Sequence, residues 1–490
     1  MFPLTRKQNW IAGTIELTSK VRYGLSTRGV PQFRFVPYDK HLSPMAVGCS
    51  VRNLFYNVHA IVEPSGEPSR PNELPKGTLI QNLGTPSESS EETVLLTTYA
   101  FDSQKDLRKE LPCPILSIQD DTCREHINEG ITFHIDPKGC KDVDDSFTFT
   151  RLSETKWRVW IHIADVDAWI KPGSPLDENA CRRATSFYTS TGYALAPMLP
   201  KQLSEDLASL KGSGGKKPSV SLCFLWEEEQ QPRDFEWKLT WSEVQHSFTY
   251  EDAHSGILDE FGALQRLTFL LGGDPGDSHS WVEQLMILYN TKVGELLKSH
   301  GVGILRRHSG KSAEKTVALE KVLESFPDLR FLAYEAAEFC LPTEEQTTHV
   351  GLERSAYAYA SSPLRRYADL INQRVLKQIL CGQKTTPLTQ DIVNHLNRRQ
   401  KQAKAFSREL FFSQVLSSAK DGSYEDGIVL RESSKGYKVY LNTWKTVITV
   451  RCLTTPPESG TRVRVEWYDD RGKPHWKDRI VFHRIELKDD

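Results

Sequence analysis

An acidic turn between two strand-like segments constrains this chain more than any other feature of its sequence. Apolar residues dominate positions 131–135, and polar and apolar residues alternate over 146–150, a pattern typical of two β-strands. The window between them carries four carboxylates: Asp136, Asp142, Asp144 and Asp145. Acids this close repel one another, whereas a hard divalent cation takes oxygen ligands. The window therefore predicts a strand–turn–strand unit that binds Mg²⁺.

Two other interpretations of the acidic turn are weaker. An EF-hand loop needs a glycine at position six and a glutamate at position twelve. Counted from Asp136, these positions hold Lys141 and Phe147, and the count from Asp142 also fails. Clustered aspartates often form a solvated turn, but the flanking segments resemble buried strands. If Mg²⁺ binds, phosphoryl transfer with two ions is the expected chemistry, although the residues alone do not assign each acid to an ion.

Composition limits the class of protein. A chain of 490 residues with 38% hydrophobic residues predicts a globular protein of two to four domains. It has no apolar run near the ~20 residues of a membrane helix, and the N-terminus lacks the layout of a signal peptide. The nine cysteines form no Cys-x-x-Cys pair, so we expect reduced thiols and an intracellular, cytoplasmic location.

Charge is distributed unevenly in this chain of net charge −2. Positions 354–408 hold eleven lysine and arginine residues against two aspartates. Such a stretch is a candidate footprint for a phosphate backbone, and a solvated helix face is the alternative.

Hydrophobic periodicity divides the chain into three regions. Short alternating runs at 14–17, 32–36 and 58–62 predict a small antiparallel barrel, followed by a polar loop at 84–92. Five strands from position 424 onwards predict an OB barrel. The centre mixes strands with helical patterns at 176–188, 281–299, 314–325, 364–381 and 389–417.

Further motifs follow the acidic turn in chain order, at 160–166, 171–177, 182–188, 197–200, 203–210, 286–290, 305–308 and 361–369. Together with the turn, they resemble the RNB catalytic domain of the ribonuclease II family, which includes RNase II, RNase R and the exosome exonuclease. The resemblance covers about residues 130–416. It implies a multidomain α+β protein, with a mixed α/β RNB domain flanked by two OB barrels.

The resemblance also implies domain boundaries. Residues 1–110 would form a cold-shock-type OB domain for RNA binding, and 111–129 a linker. Residues 130–420 would form the RNB domain, and 421–490 a C-terminal OB-type RNA-binding domain.

The resemblance assigns roles to individual residues. Asp136, Asp142, Asp144 and Asp145 would hold Mg²⁺, in a two-ion site, and position the attacking water. Catalysis would involve Asp144, Asp145 and Arg365. RNA would be bound by Tyr188, which packs on the terminal nucleotide, and by Arg365 and Arg366, which contact phosphates.

The function implied is processive 3′-to-5′ hydrolysis of single-stranded RNA to nucleoside 5′-monophosphates. We expect a monomer that works on single-stranded RNA, without a membrane and with a helicase or RNA-decay complex as partner. The alternative is a catalytically inactive RNB-type RNA-binding protein.

Some residues depart from the family pattern or fit structural roles better. Tyr359 and Gln373 occupy positions where the family usually has histidine. His162 lies in an apolar strand, which favours a core histidine over a metal ligand. Asp165 fits a structural ion pair. Arg365 and Arg366 are adjacent, so at least one should face RNA or a buried acid such as Asp369.

Overall fold

The computed structural model describes residues 10–67, 70–71, 73–100, 117–118, 124–189, 191–212, 215–256, 258–418, 423–451, 457–470, 473 and 476–485. This part of the chain divides into two compact units. Of the described residues, the barrel unit comprises those within 10–100, 310–335 and 404–485, and the sheet unit comprises 117–118 and those within 124–309 and 336–403. Most of the predicted linker, 111–129, lies outside the described residues. The predicted domain boundaries stay predictions.

The barrel unit begins with a closed five-stranded barrel. Its strands are β1 (Ile11–Ile15), β2 (Gln32–Pro37), β3 (Met45–Gly48), β4 (Val58–Gly66) and β5 (Lys76–Gly84). The order β1-β2-β3-β5-β4 closes through the β1–β4 pair, and β3 and β5 are parallel. Five strands in one barrel are typical of an OB fold.

Helix α1 (Glu88–Tyr99) follows this barrel, where the sequence predicted a polar loop. Ser87 and Ser90 form a capping box at its N-terminus. The prediction was wrong because a capping box places polar residues in the first helical turn, where they resemble a loop.

A mixed seven-stranded sheet forms the centre of the sheet unit. Its strands are β6 (Glu125–His126), β7 (Ile131–Asp136), β8 (Asp145–Arg151), β9 (Lys156–Ala164), β12 (Lys217–Glu227), β13 (Arg233–Ser242) and β14 (His246–Thr249). The order is β14-β7-β8-β9-β12-β13-β6, with parallel pairs at both edges. Two separate two-stranded sheets stand apart from it: β10 (Phe187–Tyr188) pairs with β11 (Ala194–Ala196), and β15 (Leu305–Arg307) pairs with β16 (Glu338–Cys340).

The two faces of the main sheet differ in chemistry. One face buries Phe133, Phe147 and Ile161 in the largest apolar core. The other buries short polar side chains that form a hydrogen-bonded row across five strands: Thr132, Thr148, His162, Ser221 and Thr240. Each hydroxyl in the row has a partner, whereas Ser146 Oγ and His134 Nε2 on the same face have none among the described residues.

Helices pack around the sheet and position the later motifs. They are α2 (Pro175–Arg183), α3 (Tyr250–His254), α4 (Asp259–Leu270), α5 (Ser278–His300), α7 (Tyr367–Leu380) and α8 (Gln390–Ser418), the last of which continues into the barrel unit. The helix predicted over 176–188 ends early, because Ala184 adopts a left-handed conformation with φ of 61° and β10 follows.

The barrel unit continues with α6 (Ala313–Ser325) and a C-terminal five-stranded sheet. Its strands are β17 (Tyr424–Ser433), β18 (Gly436–Leu441), β19 (Thr446–Val450), β20 (Arg462–Asp469) and β21 (Ile480–Ile485), with the short α9 (Trp476–Arg479) before β21. Leu319 and Val322 of α6 pack on Ile428 of β17. Within the described ranges, no helix combines the length and apolar character needed to cross a bilayer.

Candidate active site

The acidic turn joins two neighbouring strands of the main sheet. Asp136 ends β7 and Asp145 begins β8, and these strands pair antiparallel. Gly139 lies between them with φ of 83°, a left-handed conformation that suits glycine and allows the chain to reverse. The hairpin therefore brings the two ends of the acidic window together, as the sequence predicted.

Asp144 is the most enclosed of the four carboxylates, with 3% of its side chain exposed. Its Oδ1 accepts the Leu364 backbone N–H at 3.0 Å, and its Oδ2 accepts the Arg365 Nε–H at 2.9 Å. Arg365 also donates from Nη2 to the Ser362 hydroxyl at 3.0 Å. The segment before α7 thus holds Asp144 with two hydrogen bonds, one from a backbone N–H and one from a side chain.

Burial dominates the protonation of this carboxylate. It raises the pKa of Asp144 to about 7, although Arg365 and the Leu364 N–H both act to lower it. The ion pair conversely raises the pKa of the Arg365 guanidinium. Because 44% of the Arg365 side chain is exposed, solvent screens the attraction, and burial of the acid is the stronger effect.

The charge of Asp145 is offset less than that of Asp144. Burial raises its pKa well above the ordinary value, and the carboxylates of Asp136 and Asp144 raise it further. Arg365 and Arg366 only partly oppose these effects. A cation near these acids would relieve the repulsion, so the donor chemistry fits a hard metal ion.

Asp136 and Asp142 each have a hydrogen-bond donor from outside the turn. The His134 Nδ1 lies 2.8 Å from Asp136 Oδ2, and the Tyr188 hydroxyl donates to Asp142 Oδ2 at 2.6 Å. Burial and the charge of Asp142 raise the pKa of Tyr188, so its hydroxyl remains a donor. Tyr188, which the sequence linked to RNA, therefore contacts the acidic turn directly.

Arg366 has a different partner from its neighbour. Its Nη2 donates to Asp369 Oδ1 at 2.7 Å, and its Cζ lies 4.2 Å from the centre of the Tyr359 ring. The expectation that one arginine faces a buried acid holds for both, because Arg365 faces Asp144 and Arg366 faces Asp369.

Two residues near the site have structural roles. His162 lies between the Thr148 and Ser221 hydroxyls, and burial lowers its pKa to about 3, so it is a neutral core histidine. Asp165 is buried and pairs with Arg124 at 2.5 Å and with Lys377 at 3.0 Å.

The sequence did not identify Tyr250 as part of this region, and it marked Gln373 only as a departure from the family's usual histidine. Burial raises the pKa of Tyr250, and the charges of Asp145 and Asp136 add to it, so the ring lies near the turn. Gln373 accepts the N–H groups of Val166 and Asp167 and donates to Ala164 O. The Thr249 capping box marked the start of α3, but no sequence signal placed Tyr250 beside the acids.

The acidic residues have the right donor atoms for a metal ion, but their side chains do not converge on one point. Among the residues that the structure describes, no three histidine, cysteine or acidic side chains converge on one point. Asp144 has both oxygens engaged by Leu364 and Arg365. Asp136, Asp142 and Asp145 supply further carboxylate oxygens, and each Asp144 oxygen keeps a second lone pair with which it could bind a cation.

Sequence comparisons identify the family. The RNB domain model matches residues 124–265 and 263–382. The mouse exosome complex exonuclease RRP44 is 27% identical over 476 residues, covering 77% of this chain and 49% of that protein. Exoribonuclease 2 of Yersinia pseudotuberculosis is 25% identical over 382 residues, covering 63% and 59%. The chain therefore spans about half the length of the curated relatives it matches.

Structural comparisons agree on the fold. RNase R of Mycoplasma genitalium, in complex with ribose-methylated single-stranded RNA, superposes with a TM-score of 0.78 at 16% identity, covering 99% of this chain and 91% of that one. Yeast Ssd1, a pseudonuclease, gives a TM-score of 0.71 at 16% identity, covering 94% and 68%. The predicted combination of OB barrels with a mixed α and β RNB domain is thereby confirmed. Because the RNB domain model matches more than half of the sequence, the chain belongs to the RNB-domain, or ribonuclease II, family.

Proposed function

We propose that this protein is a Mg²⁺-dependent exoribonuclease that degrades single-stranded RNA processively from the 3′ end to nucleoside 5′-monophosphates. The observation that supports it most is the pair of hydrogen bonds that Leu364 and Arg365 donate to Asp144. This contact joins the two motifs that the family resemblance marked as catalytic. The relatives named exonuclease or exoribonuclease add support from sequence.

In this proposal, Asp136, Asp142, Asp144 and Asp145 hold Mg²⁺. Two bound ions would supply an activated water and stabilise the leaving oxygen of the phosphodiester. The chain itself does the positioning. Leu364 and Arg365 fix the orientation of Asp144, and the exposed part of the Arg365 guanidinium offers further N–H donors to a non-bridging phosphate oxygen.

Tyr188 would connect RNA binding with the acidic turn. Its ring is the proposed stacking surface for the terminal nucleotide, while its hydroxyl holds Asp142. Base stacking on an aromatic ring is tolerant of sequence, which suits an enzyme that removes every nucleotide in turn. The exposed basic residues of 354–408 would contact the RNA backbone, whereas Lys377 and Arg399 are buried within the protein. Each barrel would also bind RNA.

Partners and location also belong to the proposal. RRP44 is named as part of an exosome complex. We infer that this chain acts inside cells as a monomer on single-stranded RNA, which a helicase or an RNA-decay complex delivers.

An RNA-binding protein without hydrolysis is the second candidate. Ssd1, which shares the fold, is described as a pseudonuclease. The replacement of two usual histidines by Tyr359 and Gln373 also changes the surroundings of the site.

The two functions can be separated with labelled RNA. Single-stranded RNA with a 5′ label is incubated with Mg²⁺ or EDTA, and parallel reactions use a 3′ label. The proposal expects progressive shortening of the 5′-labelled strand and immediate release of a labelled mononucleotide from the 3′ end, both abolished by EDTA. Resistance to an unlabelled competitor added after binding tests processivity.

Two variants make this assay specific. Asp145→Asn should abolish hydrolysis, whereas Asp206→Asn, a surface aspartate paired with Lys211, should not. RNA binding without cleavage under every metal condition would establish the second candidate instead.

A further inference from the structure

Two guanidinium groups lie close to the ring of Tyr359. The Cζ of Arg366 lies 4.2 Å from the ring centre, and the Cζ of Arg306 lies 4.7 Å from it. Arg306 also lies 4.9 Å from the ring of Phe339. Two like charges beside one ring repel each other, and the electron-rich ring face attracts both. Tyr359 therefore lets two cations remain close together beside the acidic site.

The two arginines differ in how firmly the protein holds them. Arg306 is 3% exposed and donates to Gln400 Oε1 at 2.8 Å and to Ala337 O at 2.9 Å. Its hydrogen bonds to Gln400 and Ala337 hold it in the interior, in addition to its contacts with Tyr359.

Arg366 is held by fewer contacts. One hydrogen bond joins it to Asp369, and its buried Nε has no acceptor among the residues the structure describes. A quarter of the side chain, 25%, is exposed. The Tyr359 ring is thus a main restraint on the orientation of this guanidinium.

We propose that Tyr359 is a positioning residue that holds Arg366 in place for a backbone phosphate of single-stranded RNA. This inference rests on the proposed RNA-binding function. Arg365 and Arg366 then have different roles, because Arg365 orients Asp144 while the positive charge of Arg366 binds a phosphate of the RNA backbone. A histidine at position 359 would repel both guanidiniums when protonated, whereas tyrosine carries no positive charge.

RNA binding tests this role without requiring hydrolysis. Fluorescence anisotropy measures the affinity of a labelled oligouridylate in EDTA, with every protein carrying Asp145→Asn. Tyr359→Leu should weaken binding about 5- to 30-fold, the range of a partly desolvated cation–π contact. The slope of log affinity against log salt should fall by about 0.7, the loss of one phosphate contact with a single strand. Tyr359→Phe keeps the ring and should restore both values.

A double-mutant cycle identifies the group through which Tyr359 acts. Arg366→Gln should weaken binding and reduce the salt slope by itself. Adding Tyr359→Leu to Arg366→Gln should then cause little further loss, because the positioned charge is already absent. Tyr359→Met fills more of the ring's space and keeps the comparison available if the leucine variant unfolds.

A matched control separates this effect from general destabilisation. Phe235→Leu removes another ring that carries a cation, Lys292 at 4.6 Å, and should leave the salt slope unchanged. Equal losses from Tyr359→Leu with and without Arg366 would overturn the inference, as would an unchanged salt slope. If the parent protein binds no single-stranded RNA, the proposed function itself fails, which is a different result.

Discussion

Arg365 Nε lies 2.9 Å from Asp144 Oδ2, although 221 residues separate the two in sequence. The contact joins the start of β8 to the segment before α7 and links the most enclosed acid of the turn to a half-exposed cation. Arg365 orients Asp144 together with the Leu364 N–H, and the carboxylate in turn holds the Arg365 guanidinium in place.

Replacing Arg365 should therefore lower kcat/KM far more than it lowers the stability of the folded protein. Arg365→Ala should lower kcat/KM for single-stranded RNA about 100- to 1000-fold, as loss of one preorganised donor to a transition state does. Arg365→Lys should rescue little, because lysine lacks the Nε geometry that meets Asp144. Initial rates with labelled RNA measure the effect. Arg266→Ala, which removes a surface arginine paired with Glu228, is the control, and an equal loss there would contradict the assignment.

Asp145→Asn should abolish RNA hydrolysis but make the folded protein more stable at pH 8. The raised pKa of Asp145 means that the folded protein binds this proton more tightly than the unfolded chain. Its stabilising contribution is therefore present below the unfolded pKa of about 3.9 and is lost as the pH rises through the raised folded value.

At pH 8 without metal, the asparagine variant should be more stable than the parent by about 1–2 kcal/mol, or roughly 2–4 °C in Tm. At pH 4 the two proteins should be nearly equal. Thermal unfolding at both pH values measures the difference, and a destabilised variant at pH 8 would refute the electrostatic account. Loss of Mg²⁺-induced stabilisation in the variant would additionally support the metal role of Asp145.

Two substitutions at Tyr188 should separate its ring from its hydroxyl. Tyr188→Leu should weaken RNA binding about 5- to 150-fold, because base stacking contributes about 1–3 kcal/mol per base. Tyr188→Phe should retain binding but lower kcat, because Asp142 loses its donor. Single-turnover kinetics and anisotropy measure the two quantities. Tyr193→Leu, at an exposed ring between β10 and β11, is the control for loss of an aromatic residue nearby.

His162 should make the protein sensitive to acid. Folding lowers its pKa from 6.5 to about 3 because the neutral ring is buried. The contribution to stability is complete above pH 6.5 and is lost as the pH falls from there towards about 3. At pH 5 this loss amounts to about 2 kcal/mol.

His162→Gln should therefore narrow the difference in Tm between pH 8 and pH 5. His300→Gln, at an exposed position on α5, should leave that difference unchanged. An acid dependence that is identical in the parent and in His162→Gln would exclude this histidine as its source.

The sequence by itself determined the local elements and the identity of the acids. An apolar run predicted β7 and alternating residues predicted β8, and helical periodicity placed α5, α6 and α8 within a few residues of their observed ends. The acidic turn follows from those two strands, because a hairpin must bring Asp136 and Asp145 to the same end of the sheet. These features depend on neighbours in the chain, so one sequence was sufficient to predict them.

Only the tertiary structure decided which side chains meet across long separations. The contacts of Arg365 with Asp144, of Tyr188 with Asp142, and of Arg306 with Tyr359 each require distant segments to pack together. Residue spacing does not encode these pairs, because the closure of long loops and the burial of the main sheet select them jointly. The sequence supplied the chemical groups, and packing determined the partner, the burial and the protonation of each.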